Sequence, residues 1–93
     1  MKIATNDGFL IDLDAPVIAA YEVRYMRTTR WFVWCTECRD WHTHGPGEGH
    51  REAHCCEPTS KYSSTGYNLA LAGIMSRTQL TLERARRLAE LAE

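Results

Sequence analysis

All four cysteines and all four histidines of this chain lie between positions 35 and 56, and neither residue type occurs elsewhere in its 93 residues. A protein that used cysteine as a small buried residue and histidine as a surface residue would scatter them. Gathered into one stretch, they describe a metal site, and a metal site dictates where the chain folds back on itself. So short a chain buries little apolar surface, and a metal staple supplies stability that the core cannot.

The first half of the site is Cys35-Thr36-Glu37-Cys38. Two cysteines separated by two residues put both sulfurs on one side of a tight knuckle, at a separation suited to one tetrahedral ion. The second half has to close from beyond a loop that contains Gly45, Pro46, Gly47 and Gly49. Cys55 and His50 are the first choices there, with His44 and His54 as alternatives. His50 and His54 are four apart and would share a face of a helical turn. His42 and His44 would lie on one side of an extended segment. Cys56 reads as a small buried residue. Donors exceed the four positions of one ion, and the surplus can orient ligands or serve a second ion. The expected cofactor is one structural Zn2+ ion.

Three zinc or thiol enzyme templates fail on spacing. In His50-Arg51-Glu52-Ala53-His54 the glutamate stands one position late for His-Glu-x-x-His. His50-Arg51-Glu52 matches the first half of a nucleobase deaminase signature, yet the Cys pair precedes it and lacks the proline. A redox Cys-x-x-Cys needs a helix start and a βαβ setting, and neither is legible around Cys35. Four protein ligands also fill the ion, so the expectation is a non-enzyme.

Formal net charge is −1, which does not argue for a nucleic-acid partner. The N-terminal residues lack the apolar core of a signal peptide, and no apolar run is long enough to span a bilayer. The expected setting is the cytoplasm, without membrane attachment, where reduced thiols bind metal rather than pair.

Around the metal segment the pattern predicts an α+β fold in a single zinc-stapled domain over residues 1–93. A small antiparallel β-sheet comes first, with strands in 1–34. The segment 35–56 is a zinc-knuckle or zinc-ribbon-like insertion. Residues 57–93 supply a strand and a C-terminal α-helix. Asp7-Gly8 between short apolar runs signals a hairpin. Tyr21, Val23 and Tyr25 alternate with polar neighbours, and Trp31-Phe32-Val33-Trp34 is rich in strand formers. Thr28-Thr29-Arg30 is expected to turn between them. Tyr67, Leu69 and Leu71 predict a strand that ends at Gly73. The helix is expected to start at Thr81 as N-cap and to dock through Leu82, Ala85, Leu88, Ala89 and Ala92.

Arg24, Arg27 and Arg30 fall close together, with Tyr25 and Trp31 among them. Arginines beside exposed aromatics grip phosphates and stack on bases, so Arg24, Arg27, Arg30 and Trp31 form a candidate binding surface. A solvated strand face is the plainer reading.

The stretch Cys35/Cys38, His42/His44/Gly45, Gly49-His50-Arg51 and His54-Cys55 resembles small Cys/His-rich zinc-binding proteins of actinobacteria and their bacteriophages, mycobacteriophage-like in type. Tyr62 and Thr65-Gly66-Tyr67-Asn68-Leu69 resemble a downstream segment of the same group. The resemblance covers about a third of the chain, and Cys56 is an addition to the pattern. It implies a phage or host cytoplasmic setting and carries no agreed activity. The expected function is a non-enzymatic structural-zinc protein that acts as a protein-interaction module, a phage accessory protein whose partner is a host or phage protein. The alternative is a zinc-containing nucleic-acid-binding protein.

Overall fold

A computed structural model describes residues 1–5, 8–53 and 60–91. The fold is α+β. Strands β1 (Lys2–Ala4) and β2 (Leu10–Asp12) form an antiparallel hairpin. Of its expected turn, Asn6 and Asp7 lie outside the described residues, and Gly8 has φ 84°. The main sheet holds β3 (Val17–Tyr25), β4 (Thr28–Cys35), β5 (Asp40–His44), β6 (Gly49–Arg51) and β7 (Tyr67–Ile74), in the order β5-β4-β3-β7-β6. Helix α1 (Tyr62–Thr65) precedes β7, and α2 (Arg77–Leu91) follows it.

The sheet is mixed, which corrects the antiparallel expectation. β3 and β7 run parallel, from Val17↔Asn68 to Glu22↔Ile74, with a bulge after Ala20, whereas every other neighbouring pair is antiparallel. The β3–β4–β5 meander grows from one edge of β3. The chain then crosses to the other edge and adds β6 and β7 there. A parallel pair needs a long connection, and residues 26–66 supply it.

Two turns differ from expectation. Tyr25 pairs with Thr28, so Met26 and Arg27 make the β3–β4 turn and 28–30 belong to β4. Met26 takes φ 56° there, a left-handed conformation usual for glycine or asparagine. The β-branched threonines prefer the pleated strand to a turn. Gly73 does not end β7, which runs on to Ile74. The Gly-rich loop also contains a short strand, β6, where a helical turn was expected.

Alternation along β4 divides the molecule into two layers. Trp31, Val33 and Cys35 face a core shared with Ala20, Tyr67 and Leu69, covered by Tyr62 of α1 and by the partly buried Ile18, Cys38 and Ala53. Glu22 accepts a hydrogen bond from the Trp31 indole at 3.1 Å on this side. Phe32 and Trp34 face the other way, toward α2.

Helix α2 starts at a capping box that the sequence spells as Ser76-Arg77-Thr78-Gln79. The Gln79 N–H donates to Ser76 Oγ at 3.1 Å, and the Ser76 N–H donates to Gln79 Oε1 at 2.7 Å. The helix therefore begins before Thr81, and its docking stripe rotates away from the expected one. Leu80 is buried and Leu88 half-buried, whereas Leu82 is 65% exposed and Ala85 and Ala89 are exposed; Ala92 lies outside the described residues. The sheet offers aromatic rings, and arginine stems cover them. The Arg87 guanidinium lies 5.5 Å from the ring centres of both Trp34 and Trp41, and Arg77 lies 4.1 Å from that of Tyr25. The Trp41 indole N–H donates to the Leu80 carbonyl at 3.2 Å.

One polar side chain ties the β1–β2 hairpin to the main sheet. Asn68, 4% exposed, accepts from the Asp12 N–H at 3.0 Å and donates to the Asp12 carbonyl at 2.8 Å. It also donates to the Ala15 carbonyl at 3.1 Å. The amide acts as a substitute strand partner for β2, and removing it leaves buried backbone groups unpaired. Asn68→Ala is expected to cost about 2 kcal/mol in urea unfolding, against little change for an exposed control such as Arg27→Lys. Met26→Gly is expected to stabilise by roughly 0.5 kcal/mol, because the turn needs positive φ and the Met26 side chain is 88% exposed. Thermal melts of the two proteins check this, and a lower midpoint for the glycine variant contradicts it.

Candidate metal centre

Cys35 is the last residue of β4, and Asp40 opens β5. Between them the chain reverses in a knuckle. The Arg39 N–H donates to the Cys35 carbonyl at 2.8 Å, and the Cys38 N–H points at Cys35 Sγ at 3.4 Å. An N–H aimed at sulfur stabilises the thiolate, the form that binds metal. Arg39 takes φ 56°, which swings the chain back antiparallel to β4.

The returning strand carries His42 into the site. β5 pairs with β4 in the register Val33↔His42 and Trp31↔His44, so both imidazoles lie on the core face with Trp31, Val33 and Cys35. The ligand atoms of Cys35, Cys38 and His42 all lie within 4.8 Å of one another. Zinc bonds of about 2.3 Å to sulfur and 2.0 Å to nitrogen hold tetrahedral donors about 3.5–4 Å apart, so a small contraction of this group would close it on an ion. Cys35 is 1% exposed and His42 8%. Two thiolates and an imidazole, screened from water, suit Zn2+ better than a hard cation.

A buried hydroxyl stands behind the histidine. Tyr67 Oη lies 2.6 Å from His44 Nε2 and 3.5 Å from His42 Nδ1. A partner at Nδ1 leaves His42 Nε2 for the metal and orients the ring. His44 bonds to Tyr67, and among the described residues it is not one of the three grouped donors.

His50 is placed elsewhere. It sits on β6, and its Nε2–H donates to the Thr65 carbonyl at 2.8 Å, tying β6 to the end of α1. Gly66 makes this approach feasible: at φ 65° and ψ −155°, a Cβ there would run into the Arg51 carbonyl and the His50 ring. His50 therefore lies on a strand, not on the helical turn expected to pair it with His54. His54, Cys55 and Cys56 lie outside the described residues.

His42 was legible only as one of two histidines on an extended segment. Choosing it required the β4–β5 register, which sets His42 beside Val33, two residues from Cys35. The Cys38-x-x-x-His42 spacing alone does not carry that choice.

The candidate binding surface on β3 and β4 does not assemble as one patch. Trp31 is 5% exposed and belongs to the core. Arg24 pairs with Glu22 at 2.6 Å. That contact holds the Glu22 carboxyl below its ordinary range, after the larger effect of the Trp31 indole hydrogen bond. Arg30 sits on the opposite face, beside Phe32, and Arg27 is in the turn.

No protein-family model, no curated protein sequence and no solved structure matches this chain. Among the described residues, no helix is long and apolar enough to cross a membrane.

The geometry separates two histidines by experiment. His42→Ala is expected to lose most of the bound zinc, measured by elemental analysis after dialysis against a weak chelator, whereas His50→Ala keeps it. The reverse order would place the metal away from the Cys35/Cys38/His42 group.

Proposed function

We propose that this chain is a non-enzymatic structural-zinc protein that works as a protein-interaction module. One Zn2+ ion is held by Cys35, Cys38 and His42, with the fourth ligand taken from Cys55. The observation that carries this reading is the position of the donor group at the joint between sheet and covering layer. Cys38 and Ala53 pack on the same core cluster, which includes Cys35. Cys55 follows two residues after Ala53, a reach of at most about 7 Å. An ion filled at that joint would clamp the covering segment to the sheet and leave no coordination position for a substrate.

The resemblance to small Cys/His-rich proteins of actinobacteria and their phages supports an accessory role in an actinobacterial host cytoplasm. The partner is then a host or phage protein. The nucleic-acid alternative loses support from the burial of Trp31 and the pairing of Arg24 with Glu22.

Zinc affinity in such a site is folding free energy, on the order of 10 kcal/mol. Cys38→Ser and Cys55→Ser are both expected to lower zinc content and abolish the cooperative thermal transition, and an unchanged melt in either removes that residue from the site. The interaction role is tested by affinity capture of the zinc-loaded protein from actinobacterial lysate with nuclease present. A stoichiometric protein partner that survives nuclease and is lost on chelation is expected. Recovery of nucleic acid alone, or of nothing, overturns the role.

A further inference from the structure

Between the sheet and α2 runs a groove of about 750 Å³ lined by Phe32 and Trp41 of the sheet and by Leu80, Arg77 and Arg84 of the helix. A second hollow of about 350 Å³ continues from it across Phe32 and Arg77 to Arg30 and Tyr25. No carboxylate lines either hollow. Among the described residues Arg30 and Arg77 pair with no carboxylate, and Arg84 has one partner, Asp40, at 3.0 Å on the exposed rim. Three guanidinium groups thus border an apolar floor in a chain whose net charge is −1. The positive potential is local to this face rather than a property of the whole surface.

We infer that this groove docks an acidic, amphipathic peptide segment of a partner protein, its apolar side chains on Phe32, Trp41 and Leu80 and its carboxylates on Arg30, Arg77 and Arg84. The inference rests on the interaction-module reading and assigns that module its docking face and the chemistry of its partner.

The floor argues for a peptide over a nucleic acid. Base stacking needs an aromatic ring with a free face. The Tyr25 ring, 52% exposed, already carries the Arg77 guanidinium on one face at 4.1 Å. Trp41 meets Trp34 and Tyr21 edge to face at 5.3 and 6.2 Å, sits against the Arg87 guanidinium, and its indole N–H is committed to the Leu80 carbonyl. Leucine or phenylalanine side chains need only apolar contact, which such a floor provides. Guanidinium groups donate paired N–H bonds to the two oxygens of a carboxylate, so the same rim orients the segment. The Asp40 carboxylate on Arg84 marks the position a partner carboxylate would share or displace.

The test uses the zinc-loaded full chain and a short fluorescent peptide in which glutamates flank a Leu-Phe pair. Controls are the same peptide with lysine for glutamate, and an oligothymidylate. Saturable binding of the acidic peptide is expected, with a shift of the Trp41 indole N–H resonance and not of the buried Trp31 indole. Arg30→Glu/Arg77→Glu is expected to weaken it at least tenfold, while Arg30→Lys/Arg77→Lys retains most of it. Zinc content and far-ultraviolet dichroism confirm that both variants are folded, and both arginines are exposed. Equal binding of the lysine peptide, indifference to charge reversal, or no saturable binding of the acidic peptide overturns the inference. Tighter binding of oligothymidylate at the same arginines replaces it with a nucleic-acid site. Should a partner captured from lysate bind the charge-reversed protein equally well, the groove is wrong and the interaction role stands. Should no partner be captured at all while the peptide binds the groove, the groove's preference for acidic peptides stands and its assignment to a partner protein in that lysate is overturned.

Discussion

The register between β4 and β5 is the constraint on which the rest of the structure depends. Cys35 closes one strand, the knuckle through Arg39 reverses the chain, and antiparallel pairing returns His42 beside Val33. Slip that register by one residue and His42 turns to the helix face, because successive side chains on a strand point to opposite sides. In this pairing the three donor atoms come within 4.8 Å of one another. The same pairing stacks Trp41 against Trp34 on the far side of the sheet and so builds the surface on which α2 lies.

Each face of the sheet is covered in a different way. One face holds the apolar core, and a buried polar chain of His42, Tyr67 and His44 is set into it. All three are little exposed, and the Tyr67 hydroxyl serves as partner to His44 Nε2 and His42 Nδ1. The other face is aromatic and is covered by a helix whose contact stripe is rich in arginine. Flat guanidinium groups lie on rings without losing water at their edges, so a polar residue performs the packing normally left to leucine. The Glu83 carboxyl binds Arg86 and then Arg87, which hold it down to about 2. Glu83 thereby anchors Arg87 at 2.8 Å while that guanidinium covers Trp34 and Trp41.

Much of the local structure was legible. The alternation of Tyr21, Val23 and Tyr25, the strand formers from Trp31 to Trp34, and the alternation from Tyr67 to Leu71 all lie in strands. The Cys-x-x-Cys knuckle announced two of the three grouped donors. The errors have separate causes. The helix face was read from apolar periodicity alone, but Leu80 is its buried leucine and Arg77 and Arg87 lie on the aromatic rings. The Ser76/Gln79 capping box was present in the sequence and outweighed Thr81, because two reciprocal hydrogen bonds fix a helix start more firmly than one hydroxyl. The antiparallel expectation failed because adjacency in sequence says nothing about the strand that returns last.

The sequence by itself determined the α+β composition of the fold, the confinement of every cysteine and histidine to one segment, and the knuckle that sets Cys35 and Cys38 together. Those properties follow from residue type and short-range spacing, which a backbone with two soft torsions per residue converts directly into geometry. Only the tertiary structure decided that His42 joins the cysteines, that His50 instead ties β6 to α1, and that Trp31 is core rather than surface. Each of those outcomes depends on which strand lies beside which and in what register. That choice is made by the burial of Ala20, Val33, Tyr67 and Leu69 in a common core, contributed by strands far apart in the chain.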